Sequence, residues 1–127
     1  MLRKGIVTCN YFSAFPNPIR LQAGDIVSIS HSDIEYPYWI WTTNASNISG
    51  WVPQQILSFT HANKAICNEN YIAHELTVKV GECLYLEKSL NGWFLAHKKS
   101  GEAGWIPQEY IAFQKCHIGD SYHNISQ

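Results

Sequence analysis

Short runs of alternating apolar and polar residues, separated by Gly, Pro and Asn, extend along most of the chain. Residues 19–25 (IRLQAGD) and 76–82 (LTVKVGE) alternate and then end in Gly followed by an acidic residue. Alternation that ends at glycine is typical of a β-strand entering a turn, and β-rich runs follow at 26–29 and 83–86. Strands spaced about 8–12 residues apart predict about five short strands in each half and an all-β fold.

The alternation also predicts which side chains form the two cores. The first core is expected to contain Val7, Leu21, Ile26, Ile29, Trp41 and Val52, and the second Ile66, Leu76, Val78, Leu84, Leu86, Ala96 and Ile106. Most of these residues come from alternating strand positions, because successive side chains of a strand point to opposite faces.

The chain repeats itself at a spacing of 54 residues. Residues 50–57 read GWVPQQIL and residues 104–111 read GWIPQEYI, and an aromatic strand begins twelve residues before each tryptophan, at Trp39 and Trp93. The two halves therefore align without gaps over this region. Self-similarity at a fixed spacing predicts two copies of one small β fold.

The repeat predicts a division near residue 60, with a first barrel at 1–59, a second at 60–113 and a polar tail at 114–127. The connection at 58–63 is short and contains neither Gly nor Pro, so we expect the two barrels to pack against each other. The tail, QKCHIGDSYHNISQ, is polar and aperiodic.

Three motifs of the second half resemble, in order, those of the Src-homology 3 (SH3) domain. The stretch ELTVKVGE at 75–82 is similar to the family's acidic-Leu-x-Phe-x-x-Gly-acidic stretch, NGWFLA at 91–96 to its Trp-Trp strand, and GWIPQEYI at 104–111 to its Gly-Tyr-Ile-Pro-x-x-Tyr-Val ending. The first half repeats these motifs and keeps a trace of the family's opening Ala-Leu-Tyr-Asp-Tyr motif at 7–11. The chain thus resembles bacterial proteins with two variant SH3 domains in tandem, which implies two tandem SH3-like five-stranded small β-barrels.

The resemblance also implies a function, because SH3 domains bind proline-rich segments across shallow aromatic grooves beside an acidic loop. Such a ligand is already extended as polyproline II, so little conformational entropy is lost when it binds. The positions that match the groove are Trp93, Pro107, Tyr110 and Glu75 in the second half, with Tyr71 if two residues are inserted there, and Tyr11, Trp39 and Pro53 in the first.

Both halves depart from the groove pattern of the family. In the first half, Ile56 replaces the final groove tyrosine, and the loop at 15–18 (FPNP) carries no acid. In the second half, Cys67 and Glu69 stand where the family has its two opening tyrosines. The loop at 31–38 is three residues longer than its counterpart, so the two grooves are expected to differ in ligand choice.

The charge balance argues against nucleic-acid and membrane partners. Nine Lys and Arg stand against ten Asp and Glu, which gives a formal charge of -1, so no sequence-independent attraction to phosphate backbones or anionic lipid is expected. The N-terminus lacks an apolar signal-peptide region, and four scattered cysteines without a C-x-x-C motif suit reduced thiols. These features predict a cytoplasmic protein.

The motifs of common catalytic sites are missing from the sequence. It contains no Gly-rich phosphate loop and no nucleophile elbow, and the histidines share no ligand spacing, so we expect no enzyme activity, cofactor or metal. The leading hypothesis is a binding module for a protein or peptide of unspecified identity. The alternatives are an inhibitor or immunity-type protein that blocks an enzyme through a rigid barrel face, and a subunit of a structural homodimer.

Overall fold

The computed structural model describes residues 3–113, so the predicted tail at 114–127 lies outside the described residues. The described chain forms twelve β-strands and two 3-10 turns, Gln54–Ile56 and Gln108–Tyr110, and the predicted all-β class is confirmed. The strands are β1 (Arg3–Val7), β2 (Arg20–Leu21), β3 (Ile26–Ser32), β4 (Trp39–Thr43), β5 (Ser49–Pro53), β6 (Leu57–Phe59), β7 (Lys64–Cys67), β8 (Tyr71–Ile72), β9 (Cys83–Leu90), β10 (Trp93–His97), β11 (Ala103–Pro107) and β12 (Ile111–Ala112). Within residues 3–113 no helix is long and apolar enough to span a bilayer.

The strands form two five-stranded antiparallel sheets with the same internal order. One sheet runs β11-β10-β9-β1-β12 and the other β5-β4-β3-β7-β6, while β2 and β8 form a separate pair. The 54-residue repeat makes β4 equivalent to β10, β5 to β11 and β6 to β12. Two five-stranded SH3-like sheets are therefore present, as the sequence predicts.

The first strand of each half lies in the sheet built by the rest of the other half. Strand β1 pairs with β9 and β12, and β7 takes the equivalent place between β3 and β6. The main chain of Val7 exchanges two hydrogen bonds with residues 81–82, as that of Cys67 does with residues 24–25. The repeats have thus exchanged their first strands.

The exchange divides the chain into two compact units that differ from the expected barrels at 1–59 and 60–113. Unit 1 combines residues 3–13 with 75–113, and unit 2 is residues 14–74. The physical reason lies in the connection after β6. It is not a linker but a tight turn, in which the Thr60 N–H donates to the Lys64 carbonyl at 3.1 Å and the Lys64 N–H to the His61 carbonyl at 3.0 Å. Such a short connection makes β6 and β7 neighbours in one sheet, so β7 fills the place that β1 would take in a contiguous domain.

Each unit has its own apolar core. The core of unit 1 contains Val7, Leu76, Val78, Leu84, Leu86, Phe94, Ala96 and Ile106. The core of unit 2 contains Ile19, Leu21, Val27, Val52, Ile56, Leu57, Ala65 and Cys67. Burial raises the pKa of the Cys67 thiol, whose Sγ donates to the Glu69 carbonyl at 3.1 Å.

Candidate functional site

The residues that follow β1 are held in unit 1 by the segment that precedes β9. The N–H of Tyr11 donates to the carbonyl of Val78 at 3.0 Å, and the N–H of Val78 donates back to Tyr11 at 2.8 Å. Two residues further on, the N–H of Ser13 donates to Thr77 Oγ1 at 3.0 Å. This two-stranded bridge fixes the position of the Tyr11 ring.

Tyr11 packs between two aromatic side chains of unit 1. Its ring centroid lies 6.1 Å from that of Trp93, with the planes at 82°, and 5.6 Å from that of Tyr110. Aromatic rings favour such edge-to-face and tilted arrangements because of their quadrupoles. All three residues are half-buried, so each keeps part of its surface open to solvent. With Pro107, the register partner of Trp93, they form the ring cluster.

The 3-10 turn Gln108–Tyr110 sets the place of Tyr110 in the ring cluster. It begins directly after Pro107, whose φ of -60° suits the start of a helical turn. Gln108 anchors it, since its N–H donates to the Gly92 carbonyl at 2.9 Å and its Nε2 to the Trp93 carbonyl at 3.4 Å. The Tyr110 carbonyl in turn accepts from the N–H of Thr8 at 2.8 Å.

Glu75 contacts the ring cluster through a hydrogen bond to Tyr11. Glu75 is only 9% exposed, and its Oε1 accepts a hydrogen bond from the Tyr11 hydroxyl at 2.8 Å. The main chain of Glu75 forms a parallel β-bridge with that of Trp105, and the N–H of Leu76 donates to the Trp105 carbonyl at 3.0 Å. The expected exposed acid of a ligand-facing loop is therefore replaced by a buried carboxylate that orients Tyr11.

The Tyr11 hydroxyl should contribute more to stability than its counterpart Tyr71, whose hydroxyl donates to the neutral Trp51 carbonyl at 2.8 Å. Hydrogen bonds to charged groups contribute about 1.5–3 kcal/mol and neutral ones about 1 kcal/mol. We expect Tyr11→Phe to lower the opening free energy of its unit more than Tyr71→Phe does. Native-state amide hydrogen exchange, recorded in the sheet of each tyrosine, measures both. An equal or larger loss for Tyr71→Phe would contradict this role of Glu75.

Each of the two opening tyrosines lies in the sheet unit built mainly from the other half of the sequence. Tyr11, predicted to lie with Trp39 and Pro53, lies with Trp93 and Tyr110. Tyr71, predicted for the second half, belongs to unit 2. Its main chain pairs with that of Leu21 in unit 2, as the main chain of Tyr11 pairs with that of Val78 in unit 1. The two tyrosines are therefore structural equivalents. The sequence signal that indicates this is the short connection between β6 and β7.

The positions of unit 2 that match the family's groove are closed. Trp39 is 5% exposed where unit 1 has the half-buried Trp93, and Ile56 lies in the core where unit 1 has Tyr110. Pro53 is buried, as Pro107 is in unit 1. At the position of Glu75, unit 2 has Pro18, seven residues before Asp25 as Glu75 precedes Glu82. Without a carboxylate there, the Tyr71 hydroxyl bonds to the main chain instead. Trp39 and Pro53 therefore form no exposed ring surface.

Residues 3–113 contain no group of three or more His, Cys, Asp or Glu placed to hold a metal ion. Cys9 is exposed, Cys67 is buried and Cys83 is half-buried, and all three are free thiols. The chemistry available at the ring cluster is aromatic packing and hydrogen bonding.

In a comparison with known families, residues 4–60 match the model described as a variant SH3 domain. A search of curated proteins finds no significant match. The family match begins in β1 and ends at the turn before β7, so it crosses from unit 1 into unit 2. Residues 4–60 are thus similar to a variant SH3 domain, a non-catalytic fold that generally serves as a protein-interaction module.

Proposed function

We propose that the ring cluster of unit 1 binds an extended, proline-containing segment of a partner protein. The observation that carries the proposal is the packing of Tyr11 against both Trp93 and Tyr110, with all three residues only half-buried. Neither half of the sequence supplies this set alone, because Tyr11 comes from the first half and the other residues from the second.

The chemistry of the ring cluster suits such a ligand. Proline rings of a polyproline II segment present apolar ridges, and the segment is extended before binding, so aromatic surfaces can bury it at little entropic cost. The Glu75 carboxylate holds the Tyr11 ring through its hydroxyl. A site whose rings are fixed in advance loses less side-chain entropy on binding.

A protein or peptide partner is favoured over nucleic acid or a membrane surface. The seventeen aromatic residues, five Trp, seven Tyr and five Phe, accompany a formal charge of only -1. Binding to phosphate backbones depends on neutralising several phosphates with Lys and Arg. A site built from Tyr, Trp and Pro lacks those cations and instead has the residue types enriched at protein interfaces.

The proposal is tested by NMR titration of the ¹⁵N-labelled full chain with a synthetic polyproline peptide. We expect the Trp93 indole N–H signal to shift and saturate, and a control peptide with alanine in place of each proline to leave it unchanged. If neither peptide moves the signal, the proposal fails. A Trp93 signal that shifts with protein concentration alone would support the homodimer alternative.

A further inference from the structure

Unit 2 contains a cavity of about 270 Å³ at positions outside the groove pattern, since none of Trp39, Pro53 and Ile56 lines it. Its walls come from β2, from the turn between β2 and β3, and from residues 44–46 of the turn between β4 and β5. We call it the turn cavity. Its volume is slightly below the roughly 300–1,000 Å³ of pockets for drug-sized ligands, so it suits a smaller molecule.

Unit 1 contains the same two turns. Asp25 and Glu82 close the first turn, because the N–H of each donates to the carbonyl three residues earlier, at 3.0 and 3.1 Å. Asn44 and Lys98 close the second turn, because the N–H of each donates to the carbonyl four residues later, at 3.0 and 2.9 Å. Asn44 therefore occupies the position of Lys98, and Asp25 occupies that of Glu82.

The Lys98 ammonium group lies between the two turns of unit 1. Its Nζ donates to the Thr77 carbonyl at 2.7 Å and lies 3.8 Å from a carboxylate oxygen of Glu82 and 3.8 Å from one of Glu102. The Lys98 side chain is only 23% exposed. An ammonium group has three donors and no acceptor, so a carbonyl and two carboxylates are suitable surroundings. Unit 1 thus supplies its own cation to this place.

Asn44 supplies no cation to the same place in unit 2. Its Oδ1 accepts from the main-chain N–H groups of Ser46 and Ile48, both at 3.0 Å, which keeps the side chain against its own turn. Its Nδ2 donates to the Arg20 carbonyl, the equivalent of the Thr77 carbonyl, at 3.3 Å. The shorter, neutral side chain leaves the space that forms the turn cavity.

Two opposite charges line the turn cavity, those of Asp25 and Arg20. The Asp25 Oδ2 accepts from the main-chain N–H of Gln22 at 2.9 Å, and Arg20 is exposed. No ion pair joins either charge to another of residues 3–113. Lys64, which is the other Lys or Arg of unit 2, donates to Ser28 Oγ at 2.9 Å and does not line the cavity. The cavity therefore presents one carboxylate and one guanidinium to a ligand.

We propose that the turn cavity binds a small zwitterion, a free amino acid. The ligand's ammonium group takes the place that Lys98 Nζ has in unit 1, and it donates to the Asp25 carboxylate. The ligand's carboxylate accepts from the Arg20 guanidinium, whose planar fork matches a carboxylate. A ligand with only a positive charge is disfavoured, because Arg20 repels it.

The turn cavity also offers apolar contact to an aliphatic side chain of the ligand. Ile26 is 66% exposed and lines the cavity, together with Ala45. Covering an exposed isoleucine removes apolar surface from water, which favours binding. The inference does not rest on the proposed function, because the ring cluster belongs to unit 1 and the turn cavity to unit 2.

The test titrates the ¹⁵N-labelled full chain at constant pH with leucine, leucinamide and N-acetyl-leucine. Leucinamide lacks the carboxylate, and N-acetyl-leucine lacks the ammonium group. We expect leucine to shift the Asn44 side-chain amide and the Asp25 main-chain amide signals until they saturate. Each analogue should bind at least about tenfold more weakly, because hydrogen bonds between charged groups are the stronger ones. An analogue that binds as tightly as leucine, or leucine without a saturable shift, overturns the proposal.

Three variants locate the site. Arg20→Gln removes the guanidinium, so the preference for leucine over leucinamide should disappear. Asn44→Lys gives unit 2 the residue that unit 1 has at Lys98, so its ammonium group should occupy the cavity and abolish saturable binding. Lys64→Gln removes the same charge as Arg20→Gln outside the cavity, and leucine affinity should stay within about twofold, because such charges act only through screened attraction. Dispersed amide signals report folding. A preference for leucine that persists in folded Arg20→Gln, or saturable binding by folded Asn44→Lys, overturns the assignment.

Discussion

Replacing Val7 with Asp is expected to unfold the sheet that carries Trp93 and to leave the sheet that carries Trp41 folded. Val7 is 1% exposed and packs in the core of unit 1 with Leu84 and Ile106. A carboxylate placed there either remains charged without a partner or takes up a proton, and either outcome costs several kcal/mol. That loss is comparable with the whole stability of a small domain.

The mirror variant, Cys67→Asp, should affect both units. It places a carboxylate in the core of unit 2, and unit 2 is inserted between residues 13 and 75 of unit 1. Once unit 2 unfolds, unit 1 must close a long flexible loop, whose entropic cost rises by about 0.6 kcal/mol per doubling of length. Val7→Asp creates no such loop in unit 2, because residues 14–74 are continuous. Amide hydrogen exchange measures the protection of each sheet separately. If Val7→Asp removes protection only around Trp41, the chain instead forms two contiguous barrels.

Strand register explains why part of the core was predicted correctly and part was not. Leu21, Val52 and Ile106 are buried as expected. In β3 the run IVSIS has apolar residues in both phases, and the structure buries Val27 while Ile26 is 66% exposed. A shift of one residue moves every side chain to the other face, so a run that is apolar in both phases does not define its own register.

The same ambiguity affects β7. Ile66 was expected in the core, but it is 37% exposed, while the smaller Ala65 and Cys67 on either side are buried. By size and hydrophobicity, Ile66 is the residue of this strand expected to be buried. The hairpin with β6 instead pairs Ile66 with Ser58, and this register turns Ile66 away from the core. Trp41 was also expected in the core, but it is half-buried, with its ring against that of Trp51.

The ring cluster was predicted in part, because its local and its long-range components differ. Trp93, Pro107 and Tyr110 lie within one motif-bearing stretch, and the structure keeps them in one unit. The hydrogen bond between Tyr11 and Glu75 joins residues 64 positions apart. Both repeats contain an opening tyrosine, so composition and spacing do not indicate which one completes the cluster. The strand order determines which tyrosine completes the cluster, because the short turn after β6 places β7 in the sheet of unit 2.

Replacing Trp93 with Ala is expected to abolish detectable binding of a proline-containing ligand while unit 1 stays folded. Truncating a tryptophan at an interface hot spot typically costs about 2 kcal/mol or more, which is about thirtyfold in affinity. The fold should survive, because Trp93 is half-buried at the start of β10 and is not a member of the buried core cluster of unit 1. The loss of its contact with Tyr11 should cost about 0.5–1.5 kcal/mol.

Tyr85→Ala is the matched control for the Trp93 variant. Tyr85 is also half-buried in unit 1, and its ring stacks on His97 with centroids 5.1 Å apart. Removing it deletes an aromatic contact of similar size outside the ring cluster, so peptide affinity should remain within about twofold of the unmodified chain. NMR titration measures both affinities, and dispersed amide signals report that each variant is folded. If folded Trp93→Ala binds the peptide as tightly as Tyr85→Ala, the ring cluster is not the binding site, and a rigid face used for enzyme inhibition becomes the better hypothesis.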